Sequence, residues 1–136
     1  MEQVLIIVGS AIFGLLGISH LIYTHFTNKL HPTDASVIDT MKSCDLVLTR
    51  ETSLWKAWIG FNSSHSLGAI FFAAIYIPLA VINFEVIEES LWFSWLPVLA
   101  GISYTLLARL YWFQIPFTGI LMATVCFLSA AVFISL

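Results

Sequence analysis

Four predominantly apolar runs, at residues 4–26, 58–82, 91–113 and 117–136, constrain this chain more than any other feature. Each is long enough to cross a hydrocarbon core of about 30 Å. Inside that core no water can satisfy backbone N–H and C=O groups, so a lone spanning segment must be helical. A chain that is 60% apolar and 10% charged also has too little polar surface to cover a soluble globule of this length. The expected fold class is therefore all-α: an integral membrane four-helix bundle forming one membrane domain, residues 1–136.

The charges are sorted along this map. Lys29, Lys42, Arg50 and Lys56 fall in or beside the 28–55 loop, and Arg109 lies near the inner end of the third run. Glu2, the 85–89 loop and the C-terminus fall on the opposite face, with acids and no Lys or Arg. The positive-inside rule then places both termini outside (N-out/C-out) and the long first loop in the cytoplasm, as in a bacterial inner membrane.

The first run is expected to be retained rather than cleaved. Glu2 stands where a signal peptide carries basic residues, the apolar stretch is too long, and no small-residue cleavage site follows. Cys44 in the loop and Cys126 within the fourth run are too far apart on this map to form a disulfide, and no C-x-x-C or Cys/His zinc spacing occurs. A basic groove with interleaved aromatics is absent, so nucleic acid is not an expected partner; membrane lipids are.

Small residues recur at three-to-four spacing in every run: Ser10, Gly14 and Gly17; Ser66, Ala69 and Ala73; Gly101, Thr105 and Ala108; Gly119, Ala123, Cys126 and Ala130. Lipid tails give helices no hydrophobic reason to associate, so such stripes indicate close packing. Trp55, Trp58, Trp92, Trp95 and Trp112 sit near run ends, as interfacial anchors do. Pro78 and Pro97 fall in the outer halves of helices two and three; each removes an N–H and should bend its helix, widening the bundle towards the outside. Pro116 marks a tight 114–116 turn joining helices three and four.

Within the first loop, His31-Pro32 stops the first helix, and Thr33 is placed to cap a new helix over residues 34–49. Val37, Met41, Cys44 and Leu48 share a face of that segment. This predicts an amphipathic cytoplasmic helix lying at the interface or covering the mouth of the bundle.

Ionisable residues within spans are costly and therefore informative. His20 and His65 both lie about seven residues from the inner ends of their helices, roughly 10 Å deep at 1.5 Å per residue. Arg109 lies slightly shallower. Thr24 follows His20 by one turn, and Asn62 and Ser66 share the His65 face, while Tyr104 needs a partner for its hydroxyl. His20, Thr24, Asn62, His65, Ser66, Tyr104 and Arg109 thus predict a polar chamber in the cytoplasmic half of the bundle. It would hold, and could act on, a lipophilic or amphiphilic small molecule such as a lipid or quinone. Interhelical hydrogen bonding alone also explains such residues, which leaves a structural subunit of a homo-oligomer or larger membrane complex as the second reading. A third is bis-histidine haem b ligation by His20 and His65, with Gly17 and Gly68 relieving crowding. Zinc lacks a third ligand at that depth.

The stretch from Trp58 through Gly60, Phe61, Asn62, His65 and Gly68, preceded by Gly17-Ile18-Ser19-His20-Leu21, resembles a family of small bacterial four-helix membrane proteins of unassigned function. The topology, with Ala108-Arg109-Leu110-Tyr111 before a short turn, is similar to the glutathione-using membrane enzymes of eicosanoid metabolism. That second family's pattern has an Arg, a His-x-Asn pair and a Glu on helix two. Here Asn62 precedes His65, no acid is present and the fourth helix has no Arg, so the resemblance implies topology rather than glutathione binding.

Overall fold

The computed structural model describes residues 1–136 as six helices without a strand: α1 Glu2–Phe26, α2 Ala35–Ser43, α3 Leu54–Ile82, α4 Phe84–Glu88, α5 Leu91–Tyr111 and α6 Gln114–Ile134. Helices α1, α3, α5 and α6 are long and apolar enough to cross a membrane. Helix α3 starts four residues earlier than the apolar run because Ser53 caps it. The Lys56 N–H reaches Ser53 Oγ at 3.4 Å, and the Ala57 N–H donates to the Ser53 carbonyl at 3.0 Å.

Three expectations need correction. The 34–49 helix ends at Ser43, and no residue of α2 is buried. Beyond it Asp45 bridges Ser53, and the Leu54 N–H donates to the Cys44 carbonyl, so the chain spends its backbone groups on a return to α3 instead of a further helical turn. Asp34, not Thr33, is the N-cap; its carboxylate accepts from the Ser36 N–H at 2.9 Å. The α5–α6 turn consists of Trp112 and Phe113, and Pro116 falls in the first turn of α6. There a missing N–H costs nothing, since the first N–H groups of a helix have no intrahelical partner.

The chain divides into two compact units, Met1–Leu16 with Ala69–Leu136, and Gly17–Gly68. The first is built around Phe13. Its ring packs against Phe72 on α3, Tyr104 on α5 and Phe127 on α6, with ring centroids 5.2, 5.2 and 5.6 Å away. Glycines let the helices approach one another closely around this cluster. A Cβ on Gly9 would come within 2.5 Å of the Phe127 ring, one on Gly14 within 2.9 Å of Ala73, and one on Gly101 within 2.7 Å of Thr124 Oγ1. Thr124 donates its proton to the Ile120 carbonyl, so the 3.0 Å contact with Thr105 on α5 has Thr105 as donor.

Two of the backbone carbonyls in this unit that lack helical partners receive side-chain donors instead. Pro97 has no N–H to offer the Phe93 carbonyl four residues before it. The buried Tyr76 hydroxyl on α3 donates there at 3.2 Å. The Ala80 carbonyl, in the last turn of α3, accepts from Gln3 Nε2 at 2.8 Å. Ser10 is the exception: its Oγ is buried with no hydrogen-bond partner.

The Gly17–Gly68 unit contains the last turns of α1, the connecting segment with α2, and the first turns of α3. Its buried residues are few, Thr24 and Ser66 among them. Lys29 places its ammonium over the Tyr23 ring, 4.5 Å from the centroid.

Candidate functional site

The polar residues of α1 and α3 meet within the Gly17–Gly68 unit. Asn62 Nδ2 donates to the Trp58 carbonyl at 2.8 Å, which fixes the amide so that Oδ1 faces His20 Nε2, also at 2.8 Å. An amide oxygen only accepts, so the His20 proton is on Nε2. The His65 ring stands edge-on to His20 with centroids 5.5 Å apart. The two histidines and Asn62 are thus brought together as their depths imply.

The hydroxyls around them point inward along their own helices. Thr24 donates to the His20 carbonyl and Ser66 to the Asn62 carbonyl, each at 2.8 Å. Both side chains are buried. A hydroxyl bonded to the carbonyl four residues back keeps its lone pairs available and has no proton left to give.

Tyr104 and Arg109 belong to the other unit. Tyr104 joins the Phe13 ring cluster there. Arg109 is exposed in the last turn of α5 and, with Ala108, Trp112, Phe113, Gln114 and Phe117, lines a recess of about 290 Å³.

The residues that sequence reasoning missed lie one turn beyond His20. His25 Nε2 sits 2.7 Å from Ser63 Oγ, and Ser63 gives its own proton to the Ile59 carbonyl at 2.8 Å. His25 is therefore the donor, and its neutral form carries the accepting nitrogen at Nδ1. Beyond it, His31 stands edge-on to Trp55 at 5.1 Å, and Trp55 stacks on Trp58 at 5.3 Å with only 15° between the planes. Thr24, His25, Phe26, Thr27, Asn28, His31, Trp55 and Ile59 line an open recess of about 580 Å³. That size lies within the range of small-molecule sites, about 300–1,000 Å³. His25 is 140° around the helix from His20, and His31 follows α1 altogether, so no single-face argument links them. The legible signal was their density: three histidines within twelve residues at a helix end.

Haem does not fit the His20–His65 pair. Rings in an edge-to-face contact at 5.5 Å touch one another directly and leave no slab for a macrocycle between them. His20 Nε2 is also engaged by Asn62, and Gly68, expected to face the ring, is exposed. No three His, Cys, Asp or Glu side chains cluster with metal-binding geometry. What the arrangement offers is a polar, proton-committed wall beside stacked aromatic rings, suited to binding a molecule with one polar and one apolar end. Compared with known proteins, the chain matches no family model, no curated protein and no solved structure.

Proposed function

We propose that this chain is an integral membrane protein that binds an amphiphilic small molecule in the recess of its Gly17–Gly68 unit. Both termini lie outside and the first loop lies in the cytoplasm of a bacterial inner membrane. The single observation that carries the reading is the 580 Å³ recess, whose lining combines five polar residues with Phe26, Trp55 and Ile59. A ligand's polar head meets His25, Thr27, Asn28 and His31, and its apolar part lies along the aromatic wall. The His20–Asn62–His65 cluster is the polar brace that holds α1 against α3 behind Thr24. The orientation rests on the sorting of Lys and Arg.

Extraction of the purified, detergent-solubilised protein into organic solvent tests this reading by mass spectrometry. One class of amphiphile should be enriched over its share of the source membrane. Ile59→Trp, which fills the recess, should remove that enrichment while leaving the protein's yield intact. A wild-type extract that mirrors the membrane, together with a native mass showing a tightly held partner chain, would favour the structural-subunit reading instead. For the orientation, a reporter fused after Leu136 should be active only outside the cytoplasm and one inserted near Lys42 only inside.

A further inference from the structure

We infer that the recess beside Arg109, at the turn between α5 and α6, holds the phosphate of an anionic membrane lipid. None of its lining residues belongs to the Gly17–Gly68 unit, and the inference does not depend on a ligand there.

Charge is distributed unevenly in the unit formed by Met1–Leu16 and Ala69–Leu136. Arg109 is its only Lys or Arg, and its side-chain carboxyls are those of Glu2, Glu85, Glu88 and Glu89. The last three precede α5, whose 21 residues put about 30 Å between them and Arg109 in its last turn. Glu2 is already paired: the one ion pair in the structure joins it to the N-terminal ammonium at 2.8 Å. The Arg109 guanidinium therefore lines a recess of about 290 Å³ with no carboxylate to neutralise it, an arrangement that attracts an anion.

The donors present suit phosphate. A guanidinium offers a planar fork of N–H groups that matches two phosphate oxygens at once. Gln114 lines the same recess. Its Nε2 donates to Thr118 Oγ1 at 3.1 Å, and Thr118 gives its own proton to the Gln114 carbonyl at 2.9 Å, so the amide keeps a second N–H for an oxyanion. The ammonium of a zwitterionic head would meet Arg109 and no acid to offset it. The surroundings favour a lipid over free phosphate as the source. Helices α5 and α6 are long and apolar enough to cross a membrane, so the two-residue turn between them falls at head-group depth. Leu110, Tyr111, Phe113 and Ile115 at this turn are exposed and give acyl chains an apolar surface that free phosphate cannot use.

Native mass spectrometry of the full-length protein in detergent, titrated with dioleoylphosphatidylglycerol or dioleoylphosphatidylcholine, tests this. The wild-type protein should bind the phosphatidylglycerol more tightly, and ammonium phosphate at millimolar concentration should not displace it. Arg109→Gln should weaken that binding about tenfold, as the loss of a charge-assisted pair implies. Arg50→Gln makes the same charge change on an exposed loop and should weaken it about twofold at most. Equal binding of the two lipids, or equal losses in Arg109→Gln and Arg50→Gln, would overturn the inference, the latter by showing attraction to net charge alone. Displacement by inorganic phosphate would overturn the lipid as source and assign the recess to a soluble anion. The lipid comparison and the phosphate competition need no variant, so a folding defect in Arg109→Gln cannot obscure them.

Discussion

The two units of this chain use opposite means to hold the same helices. In Met1–Leu16 with Ala69–Leu136, glycines and alanines bring backbones up to a fixed set of rings around Phe13, and polar groups serve to repair broken helical hydrogen bonds. In Gly17–Gly68, the contact between α1 and α3 runs through His20, His25, Asn62 and Ser63, and an open recess lies beside them. Close packing without room suits a scaffold, because interiors at crystal-like density tolerate neither gaps nor added methylenes. A polar, hollow unit is poorer at holding a fold and better at receiving a ligand. The structural contrast follows from which side chains each half of α1 and α3 carries.

Glycine replacement breaks this comparison most sharply. Gly9→Leu drives a side chain into the Phe127 ring and should destabilise the protein by about 3 kcal/mol or more, an extreme case of overpacking. The matched change in the other unit, Gly60→Leu, meets open space and should stay within about 1 kcal/mol of the parent. Thermal unfolding in detergent measures both, and similar losses would erase the distinction.

Smaller effects sharpen it. Tyr76→Phe strands the Phe93 carbonyl beside Pro97 and should cost about 1–2 kcal/mol. A Pro97→Ala background restores an N–H for that carbonyl, so the cost of Tyr76→Phe should shrink there. His65→Leu should cost under about 1 kcal/mol in stability, since polar contacts between membrane helices average about 0.6 kcal/mol. A loss as large as that of Gly9→Leu would make the histidine cluster a packing element after all.

The smallest effect is local and acid-driven. Hydrogen bonds from the Ser36 side chain and backbone N–H hold the Asp34 carboxyl below its usual range. A depressed folded value means that the cap contributes fully above the ordinary Asp range. It is lost only as pH falls through the lowered one. Amide exchange at Ser36 should therefore be independent of this cap from neutral pH down to about 5 and accelerate, relative to base-catalysed expectation, below about 4. An onset near pH 6 would point to a histidine instead.

Much of this was legible in the sequence, and the remainder was hidden for physical reasons. Apolar length alone marks the four long helices, and the depth argument pairs His20 with His65 and Asn62. The α2 boundary was missed because Cys44 and Leu48 continue the apolar spacing, while the chain there returns through the Asp45–Ser53 bridge. Phe13 looks like any apolar residue of its run, and only the three-dimensional meeting of four helices makes it central. Tyr76 was discoverable: Pro97 announces a carbonyl in need of a donor, although nothing in one sequence says which hydroxyl supplies it. Arg109 joins the histidines in the sequence by depth and Tyr104 by a hydroxyl in need of a partner; in the structure both belong to the unit of Met1–Leu16 with Ala69–Leu136.

Photolabelling with a neutral, single-chain amphiphile carrying a diazirine near its head tests the central claim most directly, because it asks where on the molecule an amphiphile dwells. Peptide mapping should place the label on segments 24–31 and 55–59, with competition by excess unlabelled amphiphile and loss in Ile59→Trp. Label spread without competition over outward apolar residues such as Leu121, Met122 and Val125 would show ordinary lipid contact and contradict a binding recess.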